Sequence, residues 1–261
     1  MLFRGWLMTG LLRLLKPFLL RIGLVLLAWQ AVFSLLLTNT LLFPSPLSVL
    51  SRFFELLFGM QILGSLLSTL FKLGVSLSVG SVFGILLGVA LAHWTLLYET
   101  VFPIADFFRS IPATALFPLF LLVFGLGDVT NIALSAWVCI LYLSLPVSKG
   151  LRETKETSLA IAIVFKKSNL DILFKVKLME ALPALFIGLR TVASLTLVLI
   201  IVTEMFIGAS SGLGKELIDA SYTYDIPKLY AIIMIVGIIG YSLNLLVSEI
   251  EKKTIHWHTK Q

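Results

Sequence analysis

The sequence is poor in charged residues, cysteine and histidine. Charged residues make up 13% of its 261 residues and hydrophobic residues 59%, whereas a soluble domain carries about 25% charged residues. A single cysteine, Cys139, excludes a disulfide framework and a cysteine metal site. The three histidines are not grouped inside an apolar run, as clustered ligands or catalytic groups would be. With a mean hydropathy of +1.04, the chain has lipid as its main solvent.

Long apolar runs fill most of the chain. A helix needs about 20 mostly apolar residues to cross a hydrocarbon core about 30 Å thick. Runs of roughly this length predict an all-α, polytopic membrane protein with six transmembrane helices in one domain, residues 1–261. The six segments are Ile22–Thr38, Leu73–Ala92, Ile111–Leu126, Asn131–Val147, Pro183–Ile207 and Leu229–Val247. Ahead of them, residues 1–17 predict an interfacial amphipathic helix that ends at Pro17.

The basic residues predict the orientation. Four lie before the first span, seven lie in residues 149–180, and three lie at the C-terminus. Only four fall in the regions on the other side of the membrane. Because lysine and arginine accumulate in cytoplasmic loops, we expect both termini and residues 149–180 in the cytoplasm.

Residues 149–180 form a polar island between apolar spans. The island is too long for a tight turn and too short for a domain, and its composition favours helix. We predict two short cytoplasmic helices over Ala160 to Lys175 that another protein could contact. The alternative is a solvated loop whose charges only satisfy the positive-inside rule.

Several short motifs occur in order between Leu42 and Glu249. They are Phe43-Pro44-Ser45-Pro46, Arg109-Ser110-Ile111-Pro112, Ala115–Leu119, Phe124–Gly127, Ala181-Leu182-Pro183, Gly188-Leu189-Arg190, Glu204 and Gly208–Gly214. Together they resemble the permease subunits of bacterial ATP-driven (ABC) importers, in the branch that handles nitrate, sulfonates, taurine and related small solutes.

The family signature falls inside the polar island and is degenerate here. It consists of a Glu-Ala-Ala triplet and a glycine four residues after the triplet, and it ends with the sequence Ile-x-Leu-Pro. Ala160 stands at the Glu position, Lys166 at the Gly position and Met179 at the Pro position. The resemblance implies an ATPase-coupling loop, with a turn at Lys166 because the residues that follow it favour turns. Its coupling residues are Ala160, Ala162, Lys166, Lys167, Val176 and Leu178.

The resemblance also implies partners and a location. The fold would be that of a type I ABC importer permease in the bacterial cell (inner) membrane. Partners would be an ABC ATPase subunit, a periplasmic or lipid-anchored solute-binding protein and a second copy of the permease. The chain would have no cofactor, catalytic residue or metal, and would not bind nucleic acid. ATP and magnesium would belong to the ATPase.

A stripe on the fifth predicted helix is a candidate translocation pathway. Its members are Arg190, Ser194, Leu197, Ile201 and Glu204, spaced by four, three, four and three residues. The two charged ends lie about 21 Å apart along a helix, so they cannot pair with each other. The alternative is that both reach the membrane interfaces. Beyond this helix, Gly208 to Pro227 would lie outside and meet the binding protein, with contacts from Ser211, Tyr222 and Tyr224.

Other residues have local structural interpretations. Asp106 and Arg109 are three residues apart and predict a helical ion pair, which we interpret as a clamp rather than a solute site. Lys72 and His93 bracket the second span and predict interfacial positions. Gly80, Gly84 and Gly88 repeat every four residues, and predict a smooth face for a packed helix.

The alternatives to import are nucleotide binding, ion-coupled transport and catalysis within the membrane. Five residues, not four, separate Gly208 from Gly214-Lys215, and Glu216 replaces Ser or Thr, so this stretch is not a phosphate-binding loop. An ion-coupled secondary transporter would have repeated halves around ionisable groups at the midplane, which the sequence does not display. A membrane-embedded enzyme would need clustered His, Asp or Glu.

Overall fold

A computed structural model describes residues 23–34, 42–206 and 210–255. Within these ranges the chain is helical and contains no strand, as predicted. The helices are α1 Gly23–Ser34, α2 Pro46–Phe58, α3 Leu63–His93, α4 Thr95–Ser110, α5 Phe117–Phe124, α6 Asp128–Arg152, α7 Glu156–Val164, α8 Asn169–Met205, α9 Leu213–Tyr222 and α10 Ile226–Thr254. A 3₁₀ turn at Ala113–Leu116 precedes α5. The predicted interfacial helix at residues 1–17 lies outside the described residues.

Among the described residues, four helices are long and apolar enough to cross a membrane: α3, α6, α8 and α10. Helices α3, α6 and α10 each contain one predicted span and extend beyond it, and α8 begins before the predicted span Pro183–Ile207 and ends at Met205. The predicted span Ile111–Leu126 contains the second arm of a helix pair, Thr95–Ser110 and Ala113–Phe124, which is bent by 93° and could cross a membrane only with both arms together. The first arm was not predicted, since its charged residues interrupt the apolar run. Ile111 is extended (ψ 127°) before Pro112, the conformation that proline imposes on its predecessor.

Contacts divide the chain into two compact units, the described parts of 1–61 with 220–234 and of 62–219 with 235–261. The single domain over residues 1–261 stays a prediction. In the first unit, Trp29 of α1 stacks on Tyr230, and Arg52 bonds both Glu55 (2.8 Å) and Asp225 (3.1 Å). The hydrogen bond that the Arg52 guanidinium donates to Glu55 raises the pKa of Arg52.

Helix α2 was not predicted, although the sequence carries its start signals. The Ser45 side chain accepts a hydrogen bond from the backbone N–H of Ser48 (3.2 Å), and Pro46 occupies the first helical position. Ser at the N-cap and Pro at the first position are both preferred at helix starts.

The second unit is built on close packing of α3 against α6. Gly80, Gly84 and Gly88 face Cys139, Leu143 and Val147, and a Cβ on any of the three glycines would crowd α6. The predicted smooth face is therefore confirmed, and the buried Cys139 belongs to this interface. Helix α8 completes the core with buried Ala181, Leu185, Phe186 and Val192.

Substitution of Gly88 by alanine is expected to destabilise this core. The new Cβ would lie 2.7 Å from Val147 Cβ and 2.8 Å from the Ser144 carbonyl oxygen. Overpacking of this kind costs about 1–3 kcal/mol, so thermal unfolding of purified Gly88→Ala in detergent should occur at a lower temperature. The control is Gly74→Ala on the same helix, where no described atom lies within 4 Å. Equal unfolding temperatures in both variants would contradict the packing.

Candidate functional site

Within the polar island, α7 is tied to α8 through Glu180. Glu180 accepts hydrogen bonds from the Lys155 backbone N–H (2.8 Å) and from the Ser158 hydroxyl. The carboxylate therefore binds the N-terminus of α7, where unpaired N–H groups and the helix dipole favour negative charge. Nearby, a Cβ on Gly150 of α6 would lie 2.9 Å from Ala184 Cβ. Helices α6, α7 and α8 thus form one connected end of the second unit.

The chain turns at Lys166, the position of the family's glycine. Lys166 has a φ of 48°, in the left-handed region, which costs a non-glycine residue about 1–2 kcal/mol. The Lys167 N–H donates to the Ala162 carbonyl (3.1 Å). Ser168 then caps the next helix by accepting from the Asp171 N–H (3.1 Å). The predicted turn is therefore present, and Ser168 rather than glycine shapes its exit.

The second predicted short helix is not separate. From Asn169 the chain continues without a break to Met205, with a π-helical stretch at Leu173–Lys177. Met179 stands where the family's proline would be, so nothing interrupts the backbone hydrogen bonds at that position. The prediction of two short helices over Ala160 to Lys175 is corrected to one short helix, Glu156–Val164, and the first turns of α8.

Large apolar side chains are exposed around this turn. Val164 is 78% exposed and Phe165 71% exposed. We call the whole set the loop surface, and its members are Ile161, Ile163, Val164, Phe165, Leu170 and Phe174. A depression of about 400 Å³ lies beside it, lined by Ile161, Phe165, Met179 and others. A contiguous exposed apolar patch marks a site of interaction with protein or membrane.

The predicted coupling residues divide into two groups around this surface. Ala160, Lys166 and Lys167 are exposed. Ala162 is buried, and Val176 and Leu178 are half-buried, so these three hold the loop together. The exposed apolar residues themselves were not predicted from the sequence. Their signal was the run Ile161 to Phe165, which is apolar inside an otherwise charged island.

At the other end of α8, Glu204 forms a buried ion pair with Lys72 of α3. Both side chains are fully buried, and the Lys72 Nζ lies 2.9 Å from Glu204 Oε1. Asp128, at the start of α6, is 3.1 Å from the same Nζ. The Thr69 hydroxyl is 3.0 and 2.9 Å from the two Glu204 oxygens. The predicted interfacial position of Lys72 stays a prediction, and the sequence did not indicate that its charge is buried and paired inside the protein.

The ion pair holds the glycine-rich segment that follows α8. The Ser211 carbonyl accepts from Lys72 Nζ (2.6 Å), and the Gly214 N–H donates to Glu204 (2.9 Å). Gly212 has a φ of 143°, and a Cβ there would collide with the Glu204 carboxylate. Glycine is therefore required at Gly212 both for its conformation and for the approach of Glu204.

Two polar contacts join the stripe on α8 to α10. Arg190 bonds Glu251 at 2.5 Å, and the Asn244 side chain donates to Ser194 Oγ at 3.4 Å. Arg190 and Ser194 are exposed, whereas Glu204 is buried. The structure thus supplies packing partners for all three, and their assignment to a translocation pathway stays a prediction.

The residues predicted to meet a binding protein have different environments. Tyr222 and Tyr224 are exposed, and Tyr224 has a φ of 55°. Ser211 is half-buried, and its hydroxyl donates to Ser68 Oγ at 2.9 Å. Their docking role stays a prediction.

Comparison with known proteins identifies the family. Residues 80–256 match the model of the binding-protein-dependent transport system inner membrane component. The chain belongs to this family. A Haemophilus influenzae protein named as an ABC transporter permease is 32% identical over 235 residues, which is 89% of this chain and 93% of that protein.

Two further relatives carry names of solutes. A Bacillus subtilis protein named for aliphatic sulfonate transport is 26% identical, with 90% of this chain and 85% of that protein covered. The nitrate import permease of a Synechocystis strain is also 26% identical, with 90% and 87% covered. Among solved structures, the inward-facing MetNI methionine ABC transporter matches with a TM-score of 0.64 at 22% identity, covering 74% of this chain and 95% of that chain. This likeness shows the fold.

The protein is therefore a multi-pass permease subunit of an ABC importer with the type I importer fold. The secondary-transporter alternative is not favoured by these relatives. No cluster of three or more metal-ligating side chains occurs in the residues that the structure describes.

Removal of one charge from the buried pair is expected to destabilise the permease strongly. Glu204→Gln keeps the shape of the side chain but leaves Lys72 with Asp128 as its remaining carboxylate. Breaking a buried pair in this way costs about 3–5 kcal/mol, so the unfolding temperature in detergent should fall well below that of the parent.

Two further variants test the cause of that loss. The double variant Lys72→Met with Glu204→Gln should recover part of the loss, because no unpaired charge remains. Glu249→Gln, which removes an exposed pair with Lys252 (2.6 Å), should leave the unfolding temperature unchanged. A double variant less stable than Glu204→Gln alone would contradict the charge argument.

Proposed function

We propose that this permease moves a small anionic solute and is driven by a separate ATPase that docks on the loop surface. The observation that carries the proposal is the cluster of exposed apolar side chains around Lys166. A patch of this kind on a charged loop is typical of a protein interface rather than of a free loop. The names of the sulfonate and nitrate relatives support the anionic solute.

The proposed orientation puts the loop surface and both termini in the cytoplasm. It rests on the excess of basic residues at the termini and in residues 149–180. ATP and magnesium would be held by the ATPase, and this chain would perform no covalent chemistry. Two copies of the permease would form the pathway together.

The connected helices suggest how docking is transmitted. The loop surface is joined to α6 through the chain and to α8 through Glu180, so movement of the docked loop must carry both helices. At their opposite ends, Asp128 of α6 and Glu204 of α8 meet Lys72 of α3. Closure of the ATPases would therefore act on three helices at once and switch the permease between inward-open and outward-open states.

The binding protein would dock at the opposite side of the membrane. Tyr222 and Tyr224 offer exposed amphipathic rings there. Ser211 lies in the segment held by Lys72 and Glu204, so this segment presents a fixed backbone to a partner. The alternative is an ordinary loop with no partner.

Replacement of Phe165 by serine is expected to release the ATPase. An aromatic anchor at an interface typically contributes about 2 kcal/mol or more, so the ATPase retained during co-purification should fall at least about tenfold. A crosslinker attached through a disulfide to the cysteine of Ser168→Cys should capture the ATPase. The same crosslinker should not capture the ATPase when Phe165→Ser is also present.

The matched control is Phe58→Ser, which removes another highly exposed phenylalanine from α2. Because Phe58 lies outside the loop surface, co-purification should be unchanged. Full retention of the ATPase by Phe165→Ser would refute the docking surface. Labelling of Ser168→Cys by an impermeant thiol reagent outside intact cells would refute the orientation.

Replacement of Tyr222 and Tyr224 by alanine is expected to weaken stimulation of ATP hydrolysis by the binding protein. Basal hydrolysis and membrane insertion should stay intact, because both rings are exposed. Tyr241→Ala, at an exposed tyrosine of α10, provides the control. Unchanged stimulation in the double variant would show that the binding protein docks elsewhere, and residues 43–59 would be the next candidate.

A further inference from the structure

The bent helix pair breaks beside the middle of α6, a helix long enough to cross a membrane. The break at Ile111–Pro112 lies beside Tyr142 of α6 and Leu195 and Leu199 of α8, which line one cavity with it. Tyr142 is fourteen residues from Asp128 and ten from Arg152, about 21 and 15 Å along the helix. Non-helical backbone at this depth is tolerated where it is buried in protein or lines a water-filled cavity.

Arg109 is the charged residue at this break. Its guanidinium lies 4.6 Å from the centre of the Tyr142 ring, and the Tyr142 hydroxyl donates to the Arg109 carbonyl at 3.1 Å. The Asp106 carboxylate is 3.3 Å from Nη1. The buried Nε–H has no hydrogen-bond partner among the residues that the structure describes. The predicted pair with Asp106 is confirmed, but it leaves part of the donor capacity of Arg109 unused.

Two cavities meet at Arg109 and Tyr142. One, of about 260 Å³, is lined by Ser110 and Thr114 from the break and by Leu195 and Leu199. The other, of about 300 Å³, extends along α6 past Pro146 to Lys149. Arg109 and Tyr142 line both, so they stand between a cavity that Ser110 and Thr114 line and a cavity that a second cation, Lys149, lines. Each volume is near the lower end of the range for small-molecule sites.

We propose that Arg109 binds the oxyanion group of the solute during its passage, with Ser110, Thr114 and Tyr142 around it. This inference rests on the proposed function and adds the site of charge recognition within the membrane. A guanidinium matches the planar or tetrahedral oxygens of nitrate or sulfonate and donates two hydrogen bonds to them. An ionisable residue at this depth that lines a cavity is typical of a substrate pathway.

Asp106 makes the proposed site reversible. It competes for the guanidinium through a pair that is long and partly exposed. An arriving oxyanion would replace Asp106, and Asp106 would replace it when it leaves. A pathway needs a site that is favourable enough to enter and weak enough to leave. A simple clamp would make Asp106 and Arg109 equally necessary, whereas the proposed site gives them opposite effects on anion binding.

Protection of a cysteine at Thr114 tests the site directly. Thr114→Cys would be labelled with a thiol reagent in the purified permease–ATPase complex, with ethanesulfonate as the probe and choline as the cation control. The parent chain, whose Cys139 is buried, measures background labelling. Ethanesulfonate should slow labelling, and Arg109→Gln should raise the half-protecting concentration about tenfold or more. Arg109→Lys should raise it less, and Asp106→Asn should lower it.

Each outcome decides the inference. No protection by ethanesulfonate, equal protection by choline, or an unchanged half-protecting concentration in Arg109→Gln would overturn it. If Arg109→Gln fails to fold, Asp106→Asn tests the site instead, because it retains Arg109. Weaker protection in Asp106→Asn than in the parent would indicate a clamp and overturn the proposed site. Loss of ATPase capture at Ser168→Cys with protection intact would refute the proposed function alone. Capture without protection would refute this site alone.

Discussion

The structure of the second unit depends on the pairing of a buried lysine with a buried glutamate. Lys72 and Glu204 are fully buried in a chain whose main solvent is lipid, where an unpaired charge costs several kcal/mol. Their mutual pairing, with Thr69 and Asp128, joins α3, α6 and α8 at one end. The same carboxylate holds the glycine-rich segment after α8, so a single electrostatic requirement fixes both the helices and the connection to α9.

The opposite end of these helices is organised by hydrogen bonds to backbone rather than by a buried ion pair. Glu180 holds the N-terminus of α7, and Lys166 turns the chain in a conformation that costs energy. The apolar side chains left exposed there are the part of the molecule that a partner would cover. Rigid helices connect this surface to the ion pair, and the cavities around Arg109 lie between the two ends.

Local sequence signals predicted the helical fold, whereas contacts between residues distant in the sequence were not predicted. The glycine face of α3 and the turn at Lys166 follow from spacing and motif register. The Lys72–Glu204 pair could not be predicted in the same way, because its partners are 132 residues apart and no local pattern connects them. The first arm of the bent pair was missed because Asp106 and Arg109 lower its hydropathy. The role of Asp106 and Arg109 depends on their contacts with Tyr142 and on the adjoining cavities, which the sequence does not reveal.

An external ATPase is proposed to drive this permease through its loop surface. The most direct measurement is ATP hydrolysis in proteoliposomes that contain the permease and its ATPase, with the solute-loaded binding protein added on the opposite side. The binding protein is expected to stimulate hydrolysis, and ionophores that collapse all ion gradients should leave this stimulation intact. Solute flux driven by an ion gradient without ATP, together with no stimulation of hydrolysis, would contradict the proposal.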